Sequence, residues 1–303
     1  MSETGGLPWI PHNFLALPEK DCELDRAKVV LIPVPYDSTT SFRGGARDGP
    51  DAIIQASYGL EDYDDELDLD VSLVGIHTTP KLEPHTGGPA AMIDRVKAAV
   101  QAYAGPGRVM GILGGEHSIS VGSVQAHLAS YPDLSVLYLD AHADLRNDYM
   151  GTSWGHASGA RRIHEMCPLV LVGVRSLSLE ERDYIRSNSL PTFYWPSACD
   201  DQSLLRSVLA HLGPNVYVSV DLDALDPALM PAVGTPEPGG MGWYQVTSLL
   251  RGIAESRRIV GFDVTELAPS LGPAACAYTA AKLVYKLVAY STVLANDELL
   301  PRP

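Results

Sequence analysis

The segment Leu134-Ser-Val-Leu-Tyr-Leu139, followed directly by Asp140-Ala-His-Ala-Asp144, decides how the chain is interpreted. Its first six residues are a short apolar run, which is typical of a buried strand. Alternate side chains of an extended segment point to one side, so Asp140, His142 and Asp144 can converge where the strand ends. Two carboxylates and an imidazole are poor core residues but good ligands for a divalent metal ion. The stretch predicts a strand that ends in a metal site, with a solvated strand end as the alternative.

The same pattern recurs where other predicted strands end. Val216–Val220 runs into Asp221-Leu-Asp223, Arg108–Leu113 runs into Gly114-Gly-Glu-His-Ser118, and Glu266 follows Val260–Thr265. In open α/β sheets, sites form beyond the carboxyl ends of the strands, so these clusters are expected on one edge. They offer two imidazoles and four carboxylates, from His117, His142, Asp140, Asp144, Asp221 and Asp223. So many ligands indicate two metal ions that share carboxylates, and oxygen and imidazole donors without thiolate favour Mn²⁺, with Fe, Ni or Zn as alternatives.

The alternation of apolar runs and helical patterns predicts an α/β fold with a largely parallel sheet covered on both faces. The predicted strands span residues 28–34, 71–76, 108–113, 134–139, 169–174, 192–195, 216–220 and 258–264. A closed TIM barrel is the alternative arrangement. Residues 1–25 are predicted to be an N-terminal arm, and residues 26–303 a single catalytic domain. The acid-dense segment 60–70 is interpreted as a solvated connection, because it lacks the glycine and terminal glutamate of a calcium-binding loop in register.

Composition narrows the class of protein. The chain has 303 residues, 46% of them hydrophobic, and a formal net charge of −15 without a block of basic residues. This charge disfavours binding to nucleic acids or anionic membranes and would weakly steer a cationic substrate. Four cysteines without CxxC spacing, and an N-terminus without a cationic, apolar signal segment, predict a cytoplasmic protein with reduced thiols.

Three segments resemble the signature segments of the ureohydrolases, the arginase/agmatinase family: Gly114–Ser118, Asp140–Asp144 and Ser219-Val-Asp-Leu-Asp-Ala-Leu-Asp-Pro227. The resemblance covers most of the chain, from Pro33-Val-Pro-Tyr-Asp37 to Glu266. It implies a three-layer α/β/α sandwich with a mainly parallel eight-stranded sheet, two Mn²⁺ ions per subunit, and a homo-oligomer, either a trimer or a hexamer. It also implies that one ion is bound by His117, Asp140, Asp144 and Asp221, and the other by His142, Asp140, Asp221 and Asp223.

The reaction that the resemblance implies is hydrolysis of a guanidino compound to urea and an amine. His156, in the loop that carries Trp154-Gly-His156, matches the family's proton-shuttling histidine, and Glu266 matches the acid that pairs with the substrate guanidinium. We count Asp144 with them as a catalytic residue. From the residues alone, His156 could instead be a loop histidine with local hydrogen bonds, and Glu266 a strand-end glutamate. Glu116 stands where many members have Asp, and a capping or supporting role is favoured for it over ligation.

The substrate is predicted less sharply than the reaction. Gly234-Thr-Pro-Glu-Pro-Gly-Gly240 resembles the agmatinase side of the family, and the loop 145–153 lacks the Asn- and Ser/Thr-rich pattern of arginases. A small cationic substrate is therefore expected, with agmatine, cleaved to putrescine and urea, as the leading candidate. Arg146 either lies against a carboxylate or faces the tail of an acidic substrate, and Glu237 either receives a distal ammonium or serves a turn or subunit contact. The other candidates are a guanidinobutyrase, a guanidinopropionase, an arginase and a guanidine hydrolase.

Three rival functions stay open from the sequence. A metal-dependent amide deacetylase of related fold would use one Zn²⁺ ion, and the extra ligands His117, Asp144 and Asp223 argue against it. A non-catalytic metal-binding or assembly subunit is disfavoured because all six ligands and His156 are present. Phosphate binding by Gly114-Gly115 at a helix start is physically reasonable, but the acid that follows would repel an anion.

Overall fold

The computed structural model describes residues 9–294, and its main feature is an open sheet of eight parallel strands. The strands of the chain, in order, are β1 (Val29–Val34), β2 (Tyr63–Asp64), β3 (Leu69–Asp70), β4 (Ile76–Thr78), β5 (Val109–Gly114), β6 (Leu134–Leu139), β7 (Leu169–Val174), β8 (Thr192–Tyr194), β9 (Asn215–Asp221) and β10 (Arg258–Thr265). The large sheet has the order β4-β1-β5-β10-β9-β6-β7-β8, and β2 and β3 form a separate antiparallel pair. Because β4 and β8 lie at opposite edges, the sheet is not closed, and the TIM-barrel alternative is wrong.

Helices cover both faces of this sheet. They are α1 (Gly49–Ser57), α2 (Pro89–Tyr103), α3 (Ser120–Leu128), α4 (Gly159–His164), α5 (Leu179–Asn188), α6 (Asp201–Leu209), α7 (Trp243–Ser256) and α8 (Ala274–Val293). Helices α1, α6, α7 and α8 share one hydrophobic core with the sheet, and α2, α3, α4 and α5 pack on the opposite face. The predicted three-layer α/β/α sandwich is confirmed.

Local sequence explains where these elements begin and end. Strands β5, β6 and β7 are buried along their whole length, as their continuous apolar sequences require when helices cover both faces. Helix α5 begins with a capping box, in which the Ser178 hydroxyl accepts a hydrogen bond from the Glu181 N–H and the Glu181 carboxylate accepts one from the Ser178 N–H. Pro50 occupies the first turn of α1, where it lacks only an N–H that would have no helical partner.

The topology gathers the polar strand ends in the middle of one edge. Strands β5, β10, β9 and β6 are consecutive neighbours in the sheet. Since all four run parallel, the segments that follow them emerge side by side at the carboxyl edge. These are the segments that begin at Gly115, Glu266, Leu222 and Asp140.

The strand predicted over residues 71–76 is wrong. Residues Val71–Val74 form a 3₁₀ helix, and strand β4 begins only at Ile76. The Asp70 carboxylate accepts a hydrogen bond from the Ser72 N–H at 2.8 Å, which stabilises the start of this helical turn. Gly75 then adopts a φ of 86°, a conformation that favours glycine and separates the turn from the strand.

The interpretation of segment 60–70 as a solvated connection is also wrong for its central residues. The segment forms the β2–β3 hairpin, and Asp64 is only 1% exposed. Lys286 of α8 contacts the Asp64 carboxylate at 2.7 Å and that of Glu66 at 2.6 Å. Glu66 also accepts hydrogen bonds from Arg251 and Tyr290. The acids therefore fasten the hairpin to α7 and α8.

Residues 1–8 of the predicted arm lie outside the described residues, Trp9 and Ile10 are exposed, and the arm packs against strand β4 and helix α1 at Phe14 and Leu15. Phe14 is fully buried, and the backbone N–H groups of Phe14 and Leu15 donate to the hydroxyls of Thr78 and Ser57. Within residues 9–294, every helix is too short or too polar to cross a bilayer.

We expect the Lys286→Ala substitution to lower the free energy of unfolding by about 3–5 kcal/mol, because it leaves the buried Asp64 carboxylate without its cation. The measurement is denaturant unfolding followed by circular dichroism. The matched control is Arg182→Ala, which removes an ion pair to Asp183 whose side chains are both largely exposed. That control should cost no more than about 1 kcal/mol. Equal losses for the two variants would contradict the structural role of Lys286.

Candidate metal centre and active site

One group of metal-binding side chains at the carboxyl edge is built on His117. Its Nδ1 lies 3.0 Å from Asp140 Oδ2 and 3.2 Å from Asp221 Oδ2, and these three ligand atoms lie within 4.8 Å of one another. Asp144 borders the group, with its Oδ2 at 3.7 Å from the same nitrogen. The end of β9 and the segments that follow β5 and β6 thus bring together the four residues expected to bind one ion.

A second group is built on His142. Its Nδ1 lies 2.9 Å from Asp223 Oδ2 and 3.5 Å from Asp140 Oδ1. Asp140 belongs to both groups and uses a different oxygen in each, as a bridging ligand does, whereas Asp221 falls in the first group alone. The structure therefore places all six predicted ligands together at one edge, and their binding of metal remains a proposal.

The electrostatics of this edge are dominated by negative charge. Burial raises the pKa of Asp144 well above its usual range, and the neighbouring Asp140 charge raises it further. Burial, followed by the charges of Asp223 and Asp140, does the same to the pKa of Asp221. Burial acts to lower the pKa of His142, but the negative charge of Asp223 and the nearby Asp140 outweigh it and raise the pKa strongly. Four buried carboxylates facing two imidazoles make a site that divalent cations would stabilise.

A hydrogen-bond chain from the sheet interior orients His117. Ser219 Oγ donates to Asp263 Oδ1 at 2.8 Å, and Tyr217 donates to the other oxygen of that carboxylate at the same distance. Because its proton is engaged, Ser219 Oγ accepts from His117 Nε2–H at 2.8 Å. A proton is therefore held on Nε2, and Nδ1 faces the carboxylates of Asp140 and Asp221. Burial acts to lower the pKa of His117, but its hydrogen bonds to Asp140 and Asp221 outweigh it and raise the pKa well above its usual range.

Two of the predicted catalytic residues have unusual backbone conformations. Asp144 and Glu266 adopt φ angles of 51° and 67°, a region that non-glycine residues rarely occupy. Glu266 Oε1 accepts a hydrogen bond from the His117 N–H at 2.7 Å, and its side chain lines the cavity above the metal ligands. Burial, and then the charge of Asp221, raises the pKa of Glu266 well above its usual range. A cationic guanidinium beside Glu266 would oppose that shift.

His156 lies across the same cavity, which has a volume of about 260 Å³. Its Nδ1 is 3.2 Å from Thr39 Oγ1, and its Nε2 is 3.2 Å from Ser41 Oγ. Burial, followed by the positive charge of His142, lowers the pKa of His156 to about 4. The imidazole is therefore neutral at physiological pH and able to accept a proton.

Glu116 follows β5 next to His117 but does not face the metal-binding groups. Its carboxylate is fully buried and accepts hydrogen bonds from the backbone N–H groups of Ser38 and Thr39 and from the hydroxyls of Thr39 and Ser118. The supporting role predicted for it over ligation is the one its contacts show. Its neighbour Gly115 allows the 36–39 segment to approach, since a Cβ there would lie 1.9 Å from the Tyr36 carbonyl oxygen.

Glu237 and Arg146 flank the cavity on different loops. Glu237 Oε1 is 3.8 Å from His142 Nε2, on the side of the ring opposite the carboxylates. Arg146 lines the cavity and stacks on the Tyr149 ring, with its guanidinium carbon 4.6 Å from the ring centroid. Arg146 forms no ion pair with a carboxylate among residues 9–294, so the first of its two expected roles is not observed there.

Arg175, at the end of β7, was not predicted and holds two site loops together. Its guanidinium donates to the carbonyl oxygens of Asp223 and Glu237, each at 2.8 Å, and to that of Pro238 at 3.1 Å. The loop that carries the ligand Asp223 is thereby tied to the turn that carries Glu237. A charged residue directly after an apolar strand was the available signal, the same one that indicated the acids.

Tyr138 and Ser219 were also missed. The Tyr138 hydroxyl donates to Asp144 Oδ2 at 2.9 Å, and Ser219 bonds His117. Each residue stands two positions before a predicted ligand, Asp140 or Asp221, on the same strand. The two-residue period of a strand puts them on the same side as those ligands, so the pattern could have found them.

The residues at this edge fit a pair of hard divalent cations. Carboxylate oxygens and imidazole nitrogens are the ligands that Mn²⁺ accepts, and two groups that share one aspartate suit a binuclear centre. His117 Nδ1 faces the carboxylates of Asp140 and Asp221, with the Tyr138 hydroxyl 2.9 Å away, while Nε2 contacts Ser219. A metal ion bound at Nδ1 would take the place of the proton there.

We expect Arg175→Ala to weaken metal binding about 10–100-fold, because the Asp223 loop loses the guanidinium that fixes it. The metal affinity of Arg175→Lys should lie between those of Arg175→Ala and the parent, since an ammonium keeps the charge but cannot bridge the same carbonyl oxygens. The measurement is metal retained per chain during dialysis against graded free Mn²⁺, with the exposed Arg182→Ala as the control. Metal affinity equal to that of the parent in both Arg175 variants would contradict this role.

Comparisons with known proteins agree with the geometry. The arginase family model matches residues 27–289. The chain is 39% identical to the N(1)-aminopropylagmatine ureohydrolase of Thermus thermophilus over 276 residues, which cover 90% of this chain and 94% of that one. Its fold is similar to the agmatine ureohydrolase of Thermoplasma volcanium (TM-score 0.83, 30% identity, 93% and 95% coverage) and to the proclavaminate amidino hydrolase of Streptomyces clavuligerus (0.85, 28%, 95% and 99%). With these matches, the chain belongs to the arginase family and is a ureohydrolase.

Proposed function

We propose that this protein is a binuclear manganese ureohydrolase that cleaves agmatine, or an N-substituted agmatine, to urea and an amine. The observation that carries the proposal is the convergence of two imidazoles and four aspartates on the floor of a small cavity that also contains His156 and Glu266. The predicted cytoplasmic location and the trimeric or hexameric assembly belong to the same proposal.

The residues divide the chemistry between them. When bound, the metal ions supply Lewis-acid activation of water, which a poorly electrophilic guanidinium carbon requires at neutral pH. One oxygen of Glu266 accepts the His117 N–H, which leaves the other to receive the substrate guanidinium, a planar donor suited to carboxylates. His156, neutral at rest, takes the proton released by the attacking water and returns it to the departing amine nitrogen.

Two observations favour a substrate with a cationic tail: the negative charge of Glu237 at the border of the site, and the names of the related proteins. Glu237 extends a carboxylate beside the His142 ring at the border of the site, and its side chain is 35% exposed, so it can meet a ligand from solvent. The relatives named above include proteins named for agmatine and for N(1)-aminopropylagmatine, both of which end in an amine. The proposal names agmatine first and its aminopropyl derivative second.

A guanidino acid is the second candidate, and the cavity lining is the observation that favours it. Arg43 and Arg146 both line the cavity without an ion-pair partner among the described residues. Such guanidinium groups would bind the carboxylate of a substrate such as 4-guanidinobutyrate in a bidentate manner. The stacking of Arg146 on Tyr149 gives that side chain an alternative, structural role.

Urea release by the Mn²⁺-loaded protein separates these candidates. We expect agmatine or N(1)-aminopropylagmatine to be hydrolysed with a kcat/KM at least about tenfold above those for arginine and 4-guanidinobutyrate, because an acidic tail would face Glu237. In Glu237→Gln, KM for the preferred amine should rise while kcat changes little, since only binding of the tail is lost.

Preference for 4-guanidinobutyrate, reduced by Arg146→Ala, would overturn the amine assignment and leave the reaction class standing. Absence of urea release from all four compounds by protein that holds two metal ions would overturn the proposed reaction.

We expect Asp223→Ala to lower the bound metal from two ions per chain towards one and to reduce urea release about 100-fold or more, because Asp223 holds His142 and one of the two ions. Metal content is measured by elemental analysis next to the activity. Asp226→Asn is the matched control, since the Asp226 carboxylate accepts hydrogen bonds from the backbone N–H groups of Ala228 and Gly240 and is not among the predicted metal ligands. Full metal content in Asp223→Ala would remove this residue from the ligand set.

A further inference from the structure

The contacts of Thr39 bear on which nitrogen of His156 carries the proton. Thr39 Oγ1 is within hydrogen-bond distance of three groups: Glu116 Oε1 at 2.8 Å, the His156 backbone N–H at 3.0 Å, and His156 Nδ1 at 3.2 Å. A hydroxyl has one proton to donate and two lone pairs with which to accept. The backbone N–H can only donate, so it uses one lone pair. The hydroxyl proton must therefore point to either Glu116 or the imidazole.

The surroundings of Glu116 decide between these two. Oε2 of its carboxylate accepts from the Ser38 and Thr39 backbone N–H groups, at 2.6 and 2.7 Å. Oε1 lies 2.6 Å from the Ser118 hydroxyl and 2.8 Å from that of Thr39. Two backbone N–H groups, which can only donate, and two hydroxyls stabilise Glu116 as an ionised carboxylate, and a carboxylate can only accept. The Thr39 proton therefore points to Glu116, and His156 Nδ1 must supply the proton for its own contact with Thr39.

We propose that Glu116 and Thr39 are positioning residues that fix His156 as the Nδ1–H tautomer, so that Nε2 is the nitrogen that moves the proton in catalysis. Nε2 then carries the lone pair and lies 3.2 Å from the hydroxyl of Ser41, which lines the cavity with His156 and can donate to it. The inference rests on the proposed function, in which His156 serves the departing amine. In the reaction, Nε2 accepts a proton from the attacking water and passes it to the leaving nitrogen as the carbon–nitrogen bond breaks. The Nδ1 proton stays on the imidazole throughout, in its hydrogen bond to Thr39.

The Glu116→Gln substitution tests the direction of the hydrogen bonds that run from His156 through Thr39 to Glu116. The carboxamide oxygen that it introduces still accepts the two backbone N–H groups, but the amide nitrogen then lies beside the hydroxyls and donates to them. Thr39 must then send its own proton to His156 Nδ1, and the imidazole becomes the Nε2–H tautomer. Thr39→Val removes the hydroxyl with nearly the same shape, whereas Thr39→Ser keeps it. These variants separate the hydrogen-bond role from packing.

The primary readout is the tautomer of His156, measured by two-bond ¹H–¹⁵N spectra of ¹⁵N-histidine-labelled protein. The full chain is loaded with Zn²⁺, which does not broaden the signals as Mn²⁺ would, and the His156 signals are assigned by their loss in His156→Asn. We expect Nδ1–H in the parent and in Thr39→Ser, Nε2–H in Glu116→Gln, and a mixture in Thr39→Val. An Nε2–H tautomer in the parent, or Nδ1–H in Glu116→Gln, would overturn the proposal.

Kinetics and metal content complete the test. In the Mn²⁺ enzyme, Glu116→Gln and Thr39→Val should lower kcat about 10–100-fold with little change in KM or in metal per chain, and Thr39→Ser should retain most of the turnover. If Glu116→Gln fails to fold, the Thr39 pair carries the test, since Thr39 lies in a loop. Equal kcat in Thr39→Val and Thr39→Ser would overturn the proposal. A parent that shows the Nδ1–H tautomer but releases no urea would refute the proposed function and leave the tautomer assignment intact.

Discussion

Negative charge held at the carboxyl edge of the sheet is the constraint on which the rest of the site depends. Asp140, Asp144, Asp221 and Asp223 are each at most 6% exposed, and they share two imidazoles as their nearest cations. Burying carboxylates without compensating charge is unfavourable, so bound cations would stabilise this arrangement, and without them the carboxylates repel one another. The carboxylates are held together because they follow, or end, parallel strands that are apolar and buried along nearly their whole length.

The neighbouring hydrogen bonds show how the fold tolerates this concentration of acids. Asp263 is satisfied by the hydroxyls of Tyr217 and Ser219, and Glu116 by backbone amides and hydroxyls. Neutral donors of this kind stabilise a carboxylate without placing a competing cation near the metal ligands. Two of these hydroxyls, those of Ser219 and Thr39, also contact His117 and His156 and determine which imidazole nitrogen carries a proton. The same hydrogen bonds therefore stabilise the buried carboxylates and orient the histidines.

The fold class and the position of the site could be predicted from the sequence because they depend on short, local patterns of residues. Apolar runs followed by acids at two-residue spacing identified the strands, their direction and the edge where His117 and the four aspartates meet. The failures required information from distant parts of the chain. The sequence around Asp64 indicates a solvated acid until Lys286, more than 200 residues later, is placed beside it, and the displaced strand near Val71 depends on the backbone conformation of Gly75. Arg175 stands directly after an apolar strand, but its role depends on the backbone carbonyl oxygens of Asp223 and Glu237, 48 and 62 residues later in the chain.

The limit on predicting the substrate has a physical origin in the same architecture. The predicted metal ligands and Glu266 lie at or within a few residues of strand ends, where neighbouring strands and helices determine their positions. Residues that would meet the substrate tail, Arg43, Arg146 and Glu237, lie on loops that contribute little to the core. Loops can exchange such side chains without disturbing the metal ligands, so one reaction can be directed to many guanidino compounds. The sign and reach of the charges on these loops, rather than the metal centre, must therefore determine which tail is accepted.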